Sequence, residues 1–314
     1  MSNSSADFYP TSGLSPFLIV LRTSFITLLS LLIITGNIFS IVVTRRMNNM
    51  ADSTKVLMTS LAVYDFLVGV VSSFSIFASA MDRWPFGDWG CRIITVIKTI
   101  VLIMSLDSIL LLNTERYIAV TWPYKFPVWC TRRRTIIFVI FTSSLSCAGT
   151  IISHLCGLTG IYIPATTACF LANNSEFINI LVFLFVIVFP MISMTLIYYR
   201  LIKISRGHQQ RNNRNGQNEG GNIQDNKALK TFLVVTLTFV FCYTPYMVTR
   251  TVQLYTGVEY PDWTLFVISW LYVSNSAFNV FIYCLFNQAY RQMARRIISE
   301  RFPSCKVSIA PVNI

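Results

Sequence analysis

Six ionisable side chains stand inside long apolar runs of this chain: Asp65, Lys98, Asp107, Glu115, Arg116 and Arg250. In hydrocarbon each costs about 2.5 to 3.5 kcal/mol, so each is by default a candidate for holding an ion, a ligand or a partner charge. Hydrolytic or acid–base catalysis is a poor match for them. The chain has only two histidines, His154 and His208, neither with a nucleophile or base near it in sequence, so no motif pairs a nucleophile with its activator. The chemistry on offer is recognition by charge rather than bond making.

The runs that carry these groups must be membrane spans. Of the 314 residues, 54% are hydrophobic and 12% charged, against about 45 to 50% and about 25% in soluble domains, and the mean hydropathy is +0.58. Such a composition excludes a cytosolic enzyme, a disordered scaffold and a small disulfide-stapled domain. About 20 apolar residues cross roughly 30 Å of hydrocarbon. Seven such stretches occur, at about 16–44, 54–81, 89–121, 135–157, 177–204, 228–255 and 264–285. The first 15 residues are polar without a basic region, so span one is itself the insertion signal.

Net charge is +12, yet 19 of the 25 basic residues fall in alternate connectors and the tail: Arg45, Arg46, Lys55; Lys125 and Arg132 to Arg134; seven between Arg200 and Lys230; and five from Arg291 onward. That pattern puts the C-terminus inside and the N-terminus outside, and it assigns the positive charge to topology and anionic lipid rather than nucleic acid. The opposite connectors are acidic, with Asp7, Asp82, Asp88, Glu176, Glu259 and Asp262. Two glycosylation sequons, at Asn3 and Asn173, fall on that outer side. The expected organisation is an extracellular N-terminus (1–15), one membrane domain (16–285) and an inner tail (286–314). Within the domain, 206–226 is rich in Asn, Gln and Gly and reads as a mobile inner loop. In the tail, Tyr290, Met293, Ile297 and Ile298 share one face of a short amphipathic helix. The fold class is therefore an all-α membrane protein, seven transmembrane helices plus an eighth lying on the inner surface.

The order of polar residues along the spans resembles the rhodopsin-like class of G-protein-coupled receptors from end to end. The resemblance rests on Gly36-Asn37, on Leu61 to Asp65, on Cys91 and Glu115-Arg116-Tyr117 in span three, and on Pro190 with Tyr198 in span five. It continues through Phe239 to Pro245 in span six and Asn275 to Tyr283 in span seven. Three positions depart from the family: Tyr243 stands for the usual Trp, Val280 for a Pro, and span four lacks its Trp.

The resemblance implies several roles. It gathers Ser105, Asn275, Ser276 and Asn279 around Asp65 as an allosteric sodium site, the alternative being a hydrogen-bonded Asp that knits helices together. It makes Arg116 a lock that pairs with Glu115 and Asp225 at rest and engages the G protein when span six swings out. Pro190, Leu106 and Phe239 form the packing switch, with Tyr117, Tyr198, Pro245 and Tyr283 in the same machinery. The resemblance also implies a disulfide between Cys91 and Cys169. The inner partners implied are a heterotrimeric G protein and arrestin, at the plasma membrane, with no cofactor beyond the sodium ion.

Amine receptors of this class carry Asp seven residues beyond the span-three Cys, where this chain has Lys98, and retinal would need Lys at Val273. Lys98 and Arg250, walled by Tyr243, Tyr246, Met247, Ser269 and Trp270, suit an anionic agonist such as a carboxylate metabolite, a fatty-acid-like molecule or a peptide C-terminus. The alternative is that Lys98 snorkels to Asp82, Asp88 or Glu176 and meets no ligand. Asp107 has no family role and is expected to hydrogen-bond span four or five. Two rival functions stay open: a transporter or channel, and a constitutively active or non-signalling homologue, the latter because of Tyr243 and Val280.

Overall fold

A computed structural model of the chain describes residues 11–48, 50–155, 159–172, 184, 188–214 and 220–301. Apolar side chains with backbone groups satisfied inside each segment make helices the only open-ended structure a bilayer accepts. The described helices are α1 (Pro16–Arg46), α2 (Asp52–Ser72), α3 (Phe74–Ala80), α4 (Gly87–Thr121), α5 (Phe126–Trp129) and α6 (Arg132–Leu155), then α7 (Phe189–Arg214), α8 (Gly220–Thr256), α9 (Asp262–Phe286) and α10 (Gln288–Arg301). Between α6 and α7, strands β1 (Thr159–Ile163) and β2 (Ala168–Ala172) form an antiparallel hairpin.

Among the described residues, six helices are long and apolar enough to cross a membrane, α2 and α3 acting as one. They fall on spans one to four, six and seven of the sequence reading. Most of 177–188, the outer half of span five, lies outside the described residues, and α7 supplies its remainder. α2 and α3 break at Ser73, whose hydroxyl donates to Val70 O at 2.6 Å, a side-chain bond that competes with the helical ladder and bends it.

Helix, rather than loop, continues into the polar stretch expected to be unstructured: α7 runs on to Arg214 and α8 starts at Gly220, with 215–219 outside the described residues. Gln and Arg have good intrinsic helix propensity, so a segment too polar to bury a core can still prolong a helix that packing has nucleated. α10 matches the expected amphipathic helix; Tyr290 and Ala294 are buried, and the Tyr290 ring lies 5.8 Å from that of Tyr283.

The bundle closes at the end nearest Ser12, the outer end on the expected topology, through a charged residue that no sequence motif marks. Arg22, in α1, is 7% exposed. It pairs with Asp82 at 2.8 Å and donates to Ser79 Oγ at 3.0 Å and Ser79 O at 3.1 Å. Ser12 donates its backbone N–H to the same Asp82 carboxylate at 3.0 Å. Burial pushes the Asp82 carboxyl up, but the Ser12 hydroxyl and amide and the Arg22 guanidinium outweigh it and hold it below its ordinary value.

A carboxyl held low when folded stabilises above its unfolded value, about 3.9, and that contribution disappears as pH falls through the folded value. The melting temperature should therefore drop below about pH 4 more steeply in the wild type than in Asp82→Asn. At neutral pH, Arg22→Ala should cost about 3 kcal/mol, because it leaves a mostly buried carboxylate without its cation. Equal melting curves for Arg22→Ala and wild type would remove the pair from the account.

Candidate functional site: three polar layers along one helix

α4 is 35 residues long, roughly 52 Å at 1.5 Å per residue, so both its ends clear a hydrocarbon core of about 30 Å. Its buried face, at three- and four-residue spacing, includes Lys98, Leu102, Ser105, Ile109, Leu112 and Glu115. Lys98 stands toward one end of that face, Ser105 near the middle and Glu115 at the other end, with Ser108 and Asn113 also buried between the last two.

The middle layer is complete. Asp65 is fully buried on α2. Ser105 Oγ donates to its Oδ1 at 2.7 Å, Ser276 Oγ to the same oxygen at 2.8 Å, and Asn279 Nδ2 to Oδ2 at 2.8 Å. Asn275 is buried beside these residues in the chain, yet none of the described hydrogen bonds to Asp65 comes from it; its Oδ1 and that of Asn279 are buried without a described hydrogen-bond partner. Asn37 Nδ2 donates to Ser276 O at 3.0 Å and so ties α1 to the same layer. A carboxylate with two hydroxyls and spare amide oxygens is a donor set for a small hard cation.

At the inner end Arg116 Nε lies 2.8 Å from Glu115 Oε2. Glu115 is itself pinned by two hydroxyls from the start of α2, Ser53 Oγ at 2.8 Å and Thr54 Oγ1 at 2.7 Å. Arg116 Nη2 also donates to Thr54 Oγ1. These hydroxyls were missed in the sequence because nothing local marks a Ser-Thr pair about 60 residues upstream as a partner of Glu115. Asp225 lies on α8, but its side chain is outside the described residues. Tyr117 packs edge-on against Trp122, with centroids 5.8 Å apart. Tyr198, Phe239 and Tyr283 are buried in one apolar cluster with Leu106 and Tyr243, and Pro190 is buried at the start of α7. Pro245 sits inside α8, where it removes a helical hydrogen bond and permits a bend.

The outer layer is built by the hairpin. Cys91 on α4 is bridged to Cys169 on β2. Gly160 on β1 lies so near α4 that a Cβ there would come within 2.8 Å of Thr95 Oγ1 and 3.0 Å of Arg92 Cα. Trp270 Nε1 donates to Thr166 O at 3.1 Å, which fastens the hairpin tip to α9. Under this cover Lys98, Ser269, Trp270 and Phe170 line one cavity. The Lys98 ammonium rests 4.0 Å from the Phe170 ring centroid. Among the described residues Lys98 forms no ion pair, and Asp82, one of its expected acids, is taken by Arg22. Glu176 lies outside the described residues.

Of the expected pocket residues Lys98, Ser269 and Trp270 line this cavity, while Arg250, Met247, Tyr243 and Tyr246 do not. Arg250 Nη1 donates to Gln253 Oε1 at 3.2 Å, one turn along its own helix, and does not join Lys98 in the cavity. Met247 packs against the apolar cluster below. Tyr246 and Tyr243 belong instead to a column of rings that descends from the hairpin. Phe170 stacks on Tyr246 at 6.0 Å, Tyr246 on Tyr272 at 4.9 Å, Tyr272 meets Tyr243 edge-on at 4.8 Å, and Tyr243 lies 4.2 Å from Phe239. Tyr272, on α9, carried no sequence signal.

Asp107 accepts a hydrogen bond from Ser146 Oγ on α6 at 2.8 Å, as expected for span four. The sequon residues Asn3 and Asn173 lie outside the described residues.

A family model described as 7 transmembrane receptor (rhodopsin family) matches residues 36–283. The histamine H2 receptor of Canis lupus familiaris is 28% identical over 284 residues, covering 86% of this chain and 78% of its own length. The human histamine H2 receptor is 27% identical, covering 86% and 77%, and human trace amine-associated receptor 9 is 25% identical, covering 85% and 81%.

Proposed function

Because the chain belongs to the rhodopsin family of seven-transmembrane receptors, we propose that it sits in the plasma membrane with its N-terminus outside and passes binding at the Lys98 cavity to a heterotrimeric G protein. As a member it is a receptor and not an enzyme. The observation that carries the reading is α4 itself, which presents Lys98 to the outer cavity and the Glu115–Arg116 pair to the inner face on one rigid helix. Ligand binding then acts as a population shift between two packings of the bundle. In one, Glu115 holds Arg116 against α2; in the other, α8 moves and the guanidinium meets the G protein.

Asp65 and its neighbours fit a sodium ion that favours the resting packing. Asp65, Ser105, Ser276 and the amide oxygens of Asn275 and Asn279 would hold it. The bound ion would supply a positive charge opposite the buried carboxylate, the one partner its hydrogen bonds leave out.

The ligand is anionic on this reading. Lys98 brings a cation to a cavity whose described lining contains no carboxylate, so an acid gains a charge-assisted contact and an amine meets repulsion. An amine ligand is the second reading, favoured by the names of the relatives, a histamine H2 receptor and a trace amine-associated receptor. Lys98→Glu separates the two in a G-protein activation assay on cells exposed to acidic and amine metabolites. The anionic reading expects an acidic agonist to lose about tenfold or more in potency, equivalent to about 1.4 kcal/mol. An amine agonist that gains potency in Lys98→Glu, or an acid that loses none, would transfer the assignment to amines.

A further inference from the structure

The outer cavity already holds an occupant, supplied by the chain. Phe170 covers the Lys98 ammonium at 4.0 Å and stacks on Tyr246, while the space enclosed beneath the hairpin is about 10 Å³, room for roughly one water. The hairpin backbone cannot sink or slide to make room. Cys169 is bridged to Cys91, Gly160 abuts α4, and Thr166 O is held by Trp270. What can move is the Phe170 side chain, by a rotamer change.

We propose that Phe170 is a built-in surrogate for the ligand, and that the ligand is an aromatic acid which replaces it with a ring on Tyr246 and a carboxylate on Lys98. This rests on the anionic reading above and narrows it. A ligand that expels Phe170 must compensate two contacts at once. An aliphatic acid satisfies the ammonium but leaves the Tyr246 face without its stacked ring. A neutral aromatic only repeats the contacts that Phe170 already makes, and a cationic one meets a buried like charge.

An aromatic acid keeps both contacts, and it exchanges a cation–π contact of about 0.5 to 2 kcal/mol for a charge-assisted pair, which is the stronger class in a desolvated site. Its ring then sits on top of the Tyr246–Tyr272–Tyr243–Phe239 column. Every change in its tilt is felt by the buried cluster that contains Leu106 and Tyr198. The column gives Tyr243 a partner on the ligand side through Tyr272.

The test uses the purified full-length receptor and its melting temperature, which needs no knowledge of the G protein. The probes are phenylacetate, hexanoate and phenethylamine. Phenylacetate is expected to raise the wild-type melting temperature more than hexanoate does. Its apparent affinity should rise about tenfold in Phe170→Ala, where no surrogate competes, and its effect should vanish in Lys98→Met. Should Phe170→Ala not fold, Phe170→Leu keeps the bulk without the π face and is expected to change affinity in the same direction.

Equal shifts from hexanoate and phenylacetate, both lost in Lys98→Met, would overturn the aromatic requirement and leave the anionic reading standing. A shift from phenethylamine alone, indifferent to Lys98→Met, would overturn both. No shift from any probe in wild type or Phe170→Ala would also overturn the proposal.

Discussion

Asp65→Asn is expected to erase the effect of sodium on signalling. In the wild type, raising sodium at constant ionic strength should lower basal G-protein activation and weaken agonist binding; in Asp65→Asn both should be flat. The reason is electrostatic. The carboxylate is fully buried, and its three donors are neutral hydroxyls and an amide. Neutral donors satisfy its lone pairs but not its charge, and an uncompensated charge in this surrounding is costly. A cation that binds one packing of the bundle and not the other shifts the balance by its differential affinity. Asn keeps the size and removes the charge. It also turns one acceptor into a donor facing Ser105, Ser276 or Asn279, so a stability loss of about 1 to 3 kcal/mol should accompany the change. Sodium dependence that persists in Asp65→Asn would return the residue to the role of a helix-knitting hydrogen-bond acceptor.

Cys169→Ala is expected to cost more in stability than any single pocket substitution. The bridge spans 78 residues of sequence, and cross-links over loops of that size are worth about 2 to 5 kcal/mol. Here it also fixes the strand that presents Phe170 to Lys98. Surface expression should fall severalfold, and protein that does reach the membrane should melt at a lower temperature and bind weakly. Reductant applied to wild-type cells should reproduce the binding loss. Normal expression with unchanged melting would mean that Trp270 and the close packing of Gly160 hold the hairpin by themselves.

Hydrophobic runs placed the described helices of spans one to four and seven closely, because a bilayer leaves a long apolar segment little choice, whereas α7 ends at Arg214 and α8 starts at Gly220, well beyond the apolar runs of spans five and six. The Asp65 layer was legible through the family resemblance, which gathered Ser105, Asn275, Ser276 and Asn279 around it; all but Asn275 donate to the carboxylate. Pairings that depend on side-chain reach were not legible. Arg22 stands within the first two turns of α1, where it reads as a flank, and its acid is 60 residues away. Ser53 and Thr54 look like ordinary helix-start residues until α4 brings Glu115 against them. Arg250 faces the right end of the bundle, but a near neighbour on its own helix, Gln253, satisfies it first. The polar run misled because composition reports whether a segment can bury a core, and the end of α7 and the start of α8, which it contains, need only continue existing helices.

The central claim is that Arg116 couples an outer cavity to a G protein. It is tested most directly by guanine-nucleotide exchange on purified heterotrimers of each Gα class, with purified receptor in lipid nanodiscs, wild type against Arg116→Ala, with and without aromatic acids. The account predicts exchange on at least one class, increased by an acid, and lost in Arg116→Ala while acid binding by melting temperature is retained. Exchange that proceeds equally in Arg116→Ala, or well-folded receptor that binds an acid yet catalyses no exchange on any class, would contradict it.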